Sequence, residues 1–135
     1  MKQLAFIMAI TAILLIFGHP GHAMEIAGAW TKTTHPDPHN VILIFSESNS
    51  VKAIGYEAVA DRPANWHGEG TVENGALQLH YRYSADATPF GWEPRGRMDL
   101  QLSEDGQRLV GTARSRSGAW SDRIELVRVT ILLQP

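Results

Sequence analysis

The 135-residue chain contains no cysteine. That absence excludes disulfides, thiolate metal sites, thiol catalysis and a cysteine-borne lipid anchor. A polybasic run is missing as well: 12 lysines and arginines stand against 14 acids, for a net charge of −2. A mildly acidic chain without a basic stripe lacks the footprint of a nucleic-acid binder. There is no Gly-x-Ser-x-Gly, no His-Glu-x-x-His and no phosphate loop. The reading is therefore a protein that is not an enzyme, with no cofactor. After residue 24 no stretch holds a helical period for long, which excludes a helical bundle.

One long apolar run is present, Leu4 to Phe17, preceded by Lys2. Gly18 and Pro20 break any helix, and Gly21-His22-Ala23 places small residues where a signal peptidase reads. This is a secretory pattern, and the run is short for a membrane span. An uncleaved anchor is the alternative. Residues 1–23 are expected to be a signal peptide, and residues 24–135 a single domain, secreted or periplasmic, with no membrane span once the leader is removed. Loss of Lys2 leaves 11 cations against 14 acids, a net charge of −3. A domain of this size buries roughly two-thirds of its unfolded surface, enough for one core without staples.

What the mature chain does have is alternation. Period-2 segments rich in branched and aromatic residues are expected as strands over 25–33, 40–46, 51–60, 65–73, 76–83, 97–103, 107–115 and 118–130. Glu73-Asn74-Gly75 and Glu104-Asp105-Gly106 are strong hairpin signals. Local connections throughout predict an all-β, eight-stranded antiparallel up-and-down barrel, since closure removes the edges. Leu77, Leu79, Tyr81 and Tyr83 share an inward face. So do Met98, Leu100 and Leu102, and likewise Trp66, Gly68, Gly70 and Val72. Trp120, Asp122, Ile124, Leu126 and Arg128 form another. Val41-Ile42-Leu43-Ile44-Phe45 is apolar on both faces; Ile42 and Ile44 are expected outward, under a loop or in a weak dimer contact.

Connections of alternating length give the barrel two ends. Tight turns close a floor. The longer, proline-rich connections "THPDPHN", "ADRPAN" and "ADATPFGWEPRG" gather at a mouth. Gly28-Ala29-Trp30 begins at the floor and Gly118-Ala119-Trp120 at the mouth, so the repeated Gly-Ala-Trp is not an internal repeat. By parity Arg128 returns to the floor, where its guanidinium is expected to stack on Trp30.

Gly28-Ala29-Trp30 with Arg128 resembles the calycins, the superfamily of lipocalins, fatty-acid-binding proteins and avidins. Lipocalins carry Gly-x-Trp on the first strand, packed under a basic residue near the end of the last. The first long loop also resembles the lipocalin lid. The chain departs from that pattern in its short length, its lack of a disulfide and the absence of a helix after the last strand. The avidin biotin-binding Asn and Ser pattern is absent too.

The resemblance implies a small, largely apolar ligand at the loop end. Trp66, Trp92, Trp120, Tyr81, Tyr83 and Arg95 are the candidate ligand-binding residues, because rigid rings at a concave opening make good contact surface. Lys32, Arg62, Arg95, Arg114 and Arg116 are assigned to the mouth against Asp37, Asp61, Asp86 and Glu93. A slightly basic mouth weakly favours an anionic ligand. The alternative is a protein-binding module, such as a small exported enzyme inhibitor, with a filled core and projecting loops. His35, Asp37 and His39 could meet a metal only if a loop stiffened by two prolines curled, and no fourth ligand is evident, so no metal site is expected. Asp122 is expected to face inward and pair with Arg95 or Arg116.

Overall fold

The computed structural model describes residues 26–34, 40–59 (for residue 59, the backbone) and 62–130. Eight strands follow in chain order: β1 Gly28–Lys32, β2 Val41–Glu47, β3 Ser50–Val59, β4 Arg62–Glu73, β5 Ala76–Tyr83, β6 Arg95–Leu102, β7 Arg108–Ser115 and β8 Ser121–Arg128. Each pairs antiparallel with the next, and β8 pairs with β1, closing the barrel. The all-β, eight-stranded expectation is met, and the architecture is compatible with a calycin-like fold. The expected signal peptide lies outside the described residues. Among those described, no helix is long and apolar enough to cross a membrane.

The floor turns are as tight as their sequences demand. Asn74 (φ 50°) and Gly75 (φ 75°) link β4 to β5 in the left-handed region that a two-residue hairpin requires. Ser48, at φ 54°, turns β2 into β3. The core is what period-2 alternation predicts. Val72, Leu77, Leu79, Leu100, Leu109 and Leu126 point inward and are buried, and Trp30 and Trp66 fill the widest space. Gly55 makes room for Trp66. A Cβ there would sit 1.9 Å from an indole carbon, so only glycine lets the ring lie flat against β3.

Three expectations are corrected. On β2, Ile42 and Ile44 face the core, while Leu43 and Phe45 face solvent. Alternation carries no direction when both faces are apolar, and only the pairing of β2 with β1 and β3 fixes it. "ADRPAN" is not a long loop. β3 and β4 stay paired out to Val59 opposite Arg62, with Pro63 inside the strand. Proline is tolerated because this part of the hairpin runs past both neighbours. β3 pairs β2 only as far as Tyr56, and β4 pairs β5 only from Trp66. The result is a two-stranded extension whose inner face, Glu57 and Ala64, is buried over the mouth. Finally, Arg62 opens β4 and Arg95 opens β6 rather than lying in mouth loops.

Candidate functional site

The mouth is closed by a polar bridge that joins three strands. Lys32 on β1 pairs with the Glu57 carboxylate on β3. The Tyr83 hydroxyl on β5 donates to the other Glu57 oxygen at 3.3 Å. Glu57 is only 5% exposed. A buried carboxylate needs such partners to stay charged. Burial pushes the Tyr83 phenol far above its ordinary value of 10.0, and the neighbouring carboxylate adds to the shift. Tyr81 moves the same way, again mainly through burial. Glu57 was missed in sequence. It extends the inward series Val51, Ala53 and Gly55 by one step, so its parity was readable.

Beneath and beside this bridge runs a chain of rings. Trp66 meets Tyr81 at 5.6 Å between centroids, Tyr81 meets Tyr83 at 5.9 Å, and Tyr83 meets Trp92 at 5.8 Å. Four of the six candidate ligand-binding residues therefore do converge. Their exposure differs sharply. Trp66 is 2% exposed, and both tyrosines are buried, whereas Trp92 keeps 48% of its surface in solvent.

Trp120 stands apart. β8 begins at Ser121, and the preceding turn reverses at Gly118 with φ 79°. That turn lifts the indole off the inward track, and it too is 48% exposed. It makes no ring contact among the described residues. Asp122, expected inward, is exposed at the same edge and makes no salt bridge with Arg95 or Arg116 among the described residues. Two residues before the first inward-buried position of β8, it lies past the packed core.

Two connections build the exposed rim. The β5–β6 connection turns through a single 3-10 turn, Ala85–Ala87, and is anchored by Ser84 N donating to Asn65 O at 3.0 Å and Trp92 N donating to Pro89 O at 3.1 Å. At its tip Phe90 is wholly exposed. The β7–β8 turn is held by Gly118 N to Ser115 O and Trp120 N to Ser115 Oγ, at 3.0 and 3.1 Å. Glu93 ties the two together by accepting the Ser117 N–H at 3.0 Å. Hydrogen bonds from Ser117 hold its carboxyl below the ordinary carboxylate range.

Arg95 opens β6 on the outer wall. It lines a groove of about 700 Å³ with Arg97, Arg114 and Arg116, to which the inward-facing Tyr81 and Ser115 also contribute. The possible metal ligands His35, Asp37 and His39 lie outside the described residues, among which no group of three or more His, Asp or Glu side chains can hold a metal.

At the floor, Trp30 lies opposite Arg128 in register, and the guanidinium carbon sits 4.3 Å from the indole ring centroid. Arg128 also donates to Ala27 O at 2.8 Å and Gly106 O at 3.0 Å, while Trp30 Nε1 donates to Ile26 O at 3.0 Å. A Cβ on Gly28 would meet the guanidinium at 2.9 Å. The floor is thus a structural plug. No family model matches the chain, and no curated protein or solved structure matches it.

Proposed function

We propose that the protein is an exported, lipocalin-shaped barrel used as a protein-binding module, with the mouth rim as its recognition face. The observation that carries this reading is a filled core under an exposed aromatic rim. The core side chains that would line a ligand chamber, Leu79, Leu100, Ile44 and Trp66 among them, keep almost no accessible surface. An apolar guest of ordinary size needs several hundred Å³ of concave space. Phe90, Trp92 and Trp120 face solvent instead, as do Arg95 and Arg116. Exposed aromatics and arginines are the residue types enriched at binding hot spots.

The test uses the tagged protein as bait against extracellular proteins of its host. A partner should be retained by the wild type and by a Phe45→Ser variant on the far wall. A Phe90→Ala/Trp92→Ala/Trp120→Ala variant should lose it. A captured hydrolase whose activity falls on adding the protein would identify the inhibitor form. A small molecule carried by the native protein, with no partner sensitive to the rim, would overturn the reading.

A further inference from the structure

On the outer wall the strand register stacks cations side by side. Arg82 on β5 lies opposite Arg95 on β6, and Arg116 N bonds to Arg95 O at 3.0 Å. One step toward the floor, Arg97 and Arg114 form a second row across β6 and β7, with His80 of β5 opposite Arg97. Like charges directly opposite on a sheet face are destabilising. Only part of this wall is compensated within the protein. Arg97 donates from Nε and Nη2 to Asp99 Oδ1, at 3.0 and 2.6 Å. Arg116 lies in the field of Glu93. Arg82, Arg95 and Arg114 make no side-chain hydrogen bond or ion pair among the described residues, and all three are exposed. The protein as a whole is acidic, so this concentration is local.

We infer that this groove receives an extended acidic segment of the protein partner, with carboxylates on alternate residues. The inference rests on the protein-binding reading above. Three features select that occupant. The cations are all arginines, whose planar fork suits bidentate capture of carboxylates. Arg95 and Arg97 on β6 are two residues apart along a strand, a spacing of about 6.8 Å, and Arg116 follows Arg114 by two residues in the turn just after β7, its N–H on Arg95 O. An extended peptide repeats its own side chains at the same interval, so alternate acids meet successive arginines in register. The groove is also concave, which suits a protruding segment better than a flat membrane surface. A carboxylate of the protein's own loop, Glu93, already sits at the groove edge on the Ser117 N–H, in the field of Arg116.

The experiment titrates the intact protein with a short synthetic peptide alternating glutamate and serine, followed by calorimetry at two salt concentrations. The glutamate peptide should bind, and more weakly at high salt. Arg95→Gln and Arg114→Gln should each weaken it about tenfold, the loss expected for one charge-assisted contact. Lys52→Gln on β3 should leave it unchanged. Both arginine variants should keep the wild-type fold and melt no earlier, because each relieves like-charge crowding. Equal binding of the glutamine counterpart would overturn the proposal. So would equal binding of a peptide with the same glutamates in one block, or of inorganic phosphate alone. Binding to phosphatidylglycerol vesicles but not to the peptide would replace it with a membrane surface. If the rim aromatics govern partner capture and these arginines do not, the groove proposal falls and the protein-binding reading stands. If neither does, both fall.

Discussion

The two ends of this barrel solve opposite problems with the same short strand. β1 sends Trp30 toward the floor and Lys32 toward the mouth. At the floor the cation comes from β8, lies on a fully buried indole and donates to two backbone carbonyls. At the mouth Lys32 meets a buried carboxylate, and the aromatic next to it is a tyrosine that hydrogen-bonds the same group. The floor ends in a sealed plug. Above the mouth bridge, Trp92, Trp120 and Phe90 remain in solvent. Apolar and cationic groups satisfied internally serve stability; those left unsatisfied at the other end are available for recognition.

Substitutions should separate these ends by magnitude. Trp30→Ala should cost the most, about 3–5 kcal/mol in urea unfolding, because it removes a fully buried indole and leaves a cavity. Arg128→Ala should follow at about 2–3 kcal/mol, since it loses the ring contact and two charge-assisted hydrogen bonds, and Arg128→Lys should recover only part. Lys32→Ala should cost about 1–3 kcal/mol, less than a fully buried pair because Lys32 is partly exposed while Glu57 is left almost without a counter-charge. At the rim, Phe90→Ala should shift stability by no more than about 0.5 kcal/mol. If Phe90→Ala destabilised as much as Arg128→Ala, the rim would be part of the core and the contrast between the ends would be lost.

Alkali sharpens the same contrast. Tyr81 and Tyr83 have folded pKa values raised above the ordinary 10.0, so the native state holds their protons longer than the unfolded chain. Their contribution is fully present below pH 10.0 and is lost progressively above it, as the unfolded phenols ionise first. Phenolate absorbance of these two residues should therefore appear together with unfolding. Tyr83→Phe should flatten the alkaline loss. Ionisation of both at pH 10.0 in a still-folded barrel would mean that the mouth is open to water.

The fold was legible because its signals are local. Period-2 runs and Asn-Gly and Asp-Gly turns need no partner to be read, and the Trp30–Arg128 stack followed from parity once β1 and β8 were taken as closing neighbours. The rest depended on register or on where a strand stops. β2 is apolar on both faces, so its orientation could not come from its own residues. Pro63 reads as a loop residue until the hairpin is seen to outrun its neighbours. Trp120 has the right parity to face inward but precedes the strand by one residue. The arginine rows needed three strands aligned before single outward cations became a wall.

The central claim is that the interior is closed and recognition lies outside it. The most direct measurement uses a Trp92→Phe/Trp120→Phe variant, which retains only the buried Trp30 and Trp66 as indole reporters. Titration with fatty acids and apolar aromatic dyes should leave its emission unchanged, and acrylamide should quench it far less than the wild type. A saturable change in emission, with Trp66 becoming accessible to quencher, would show that the barrel admits a guest and would contradict the account.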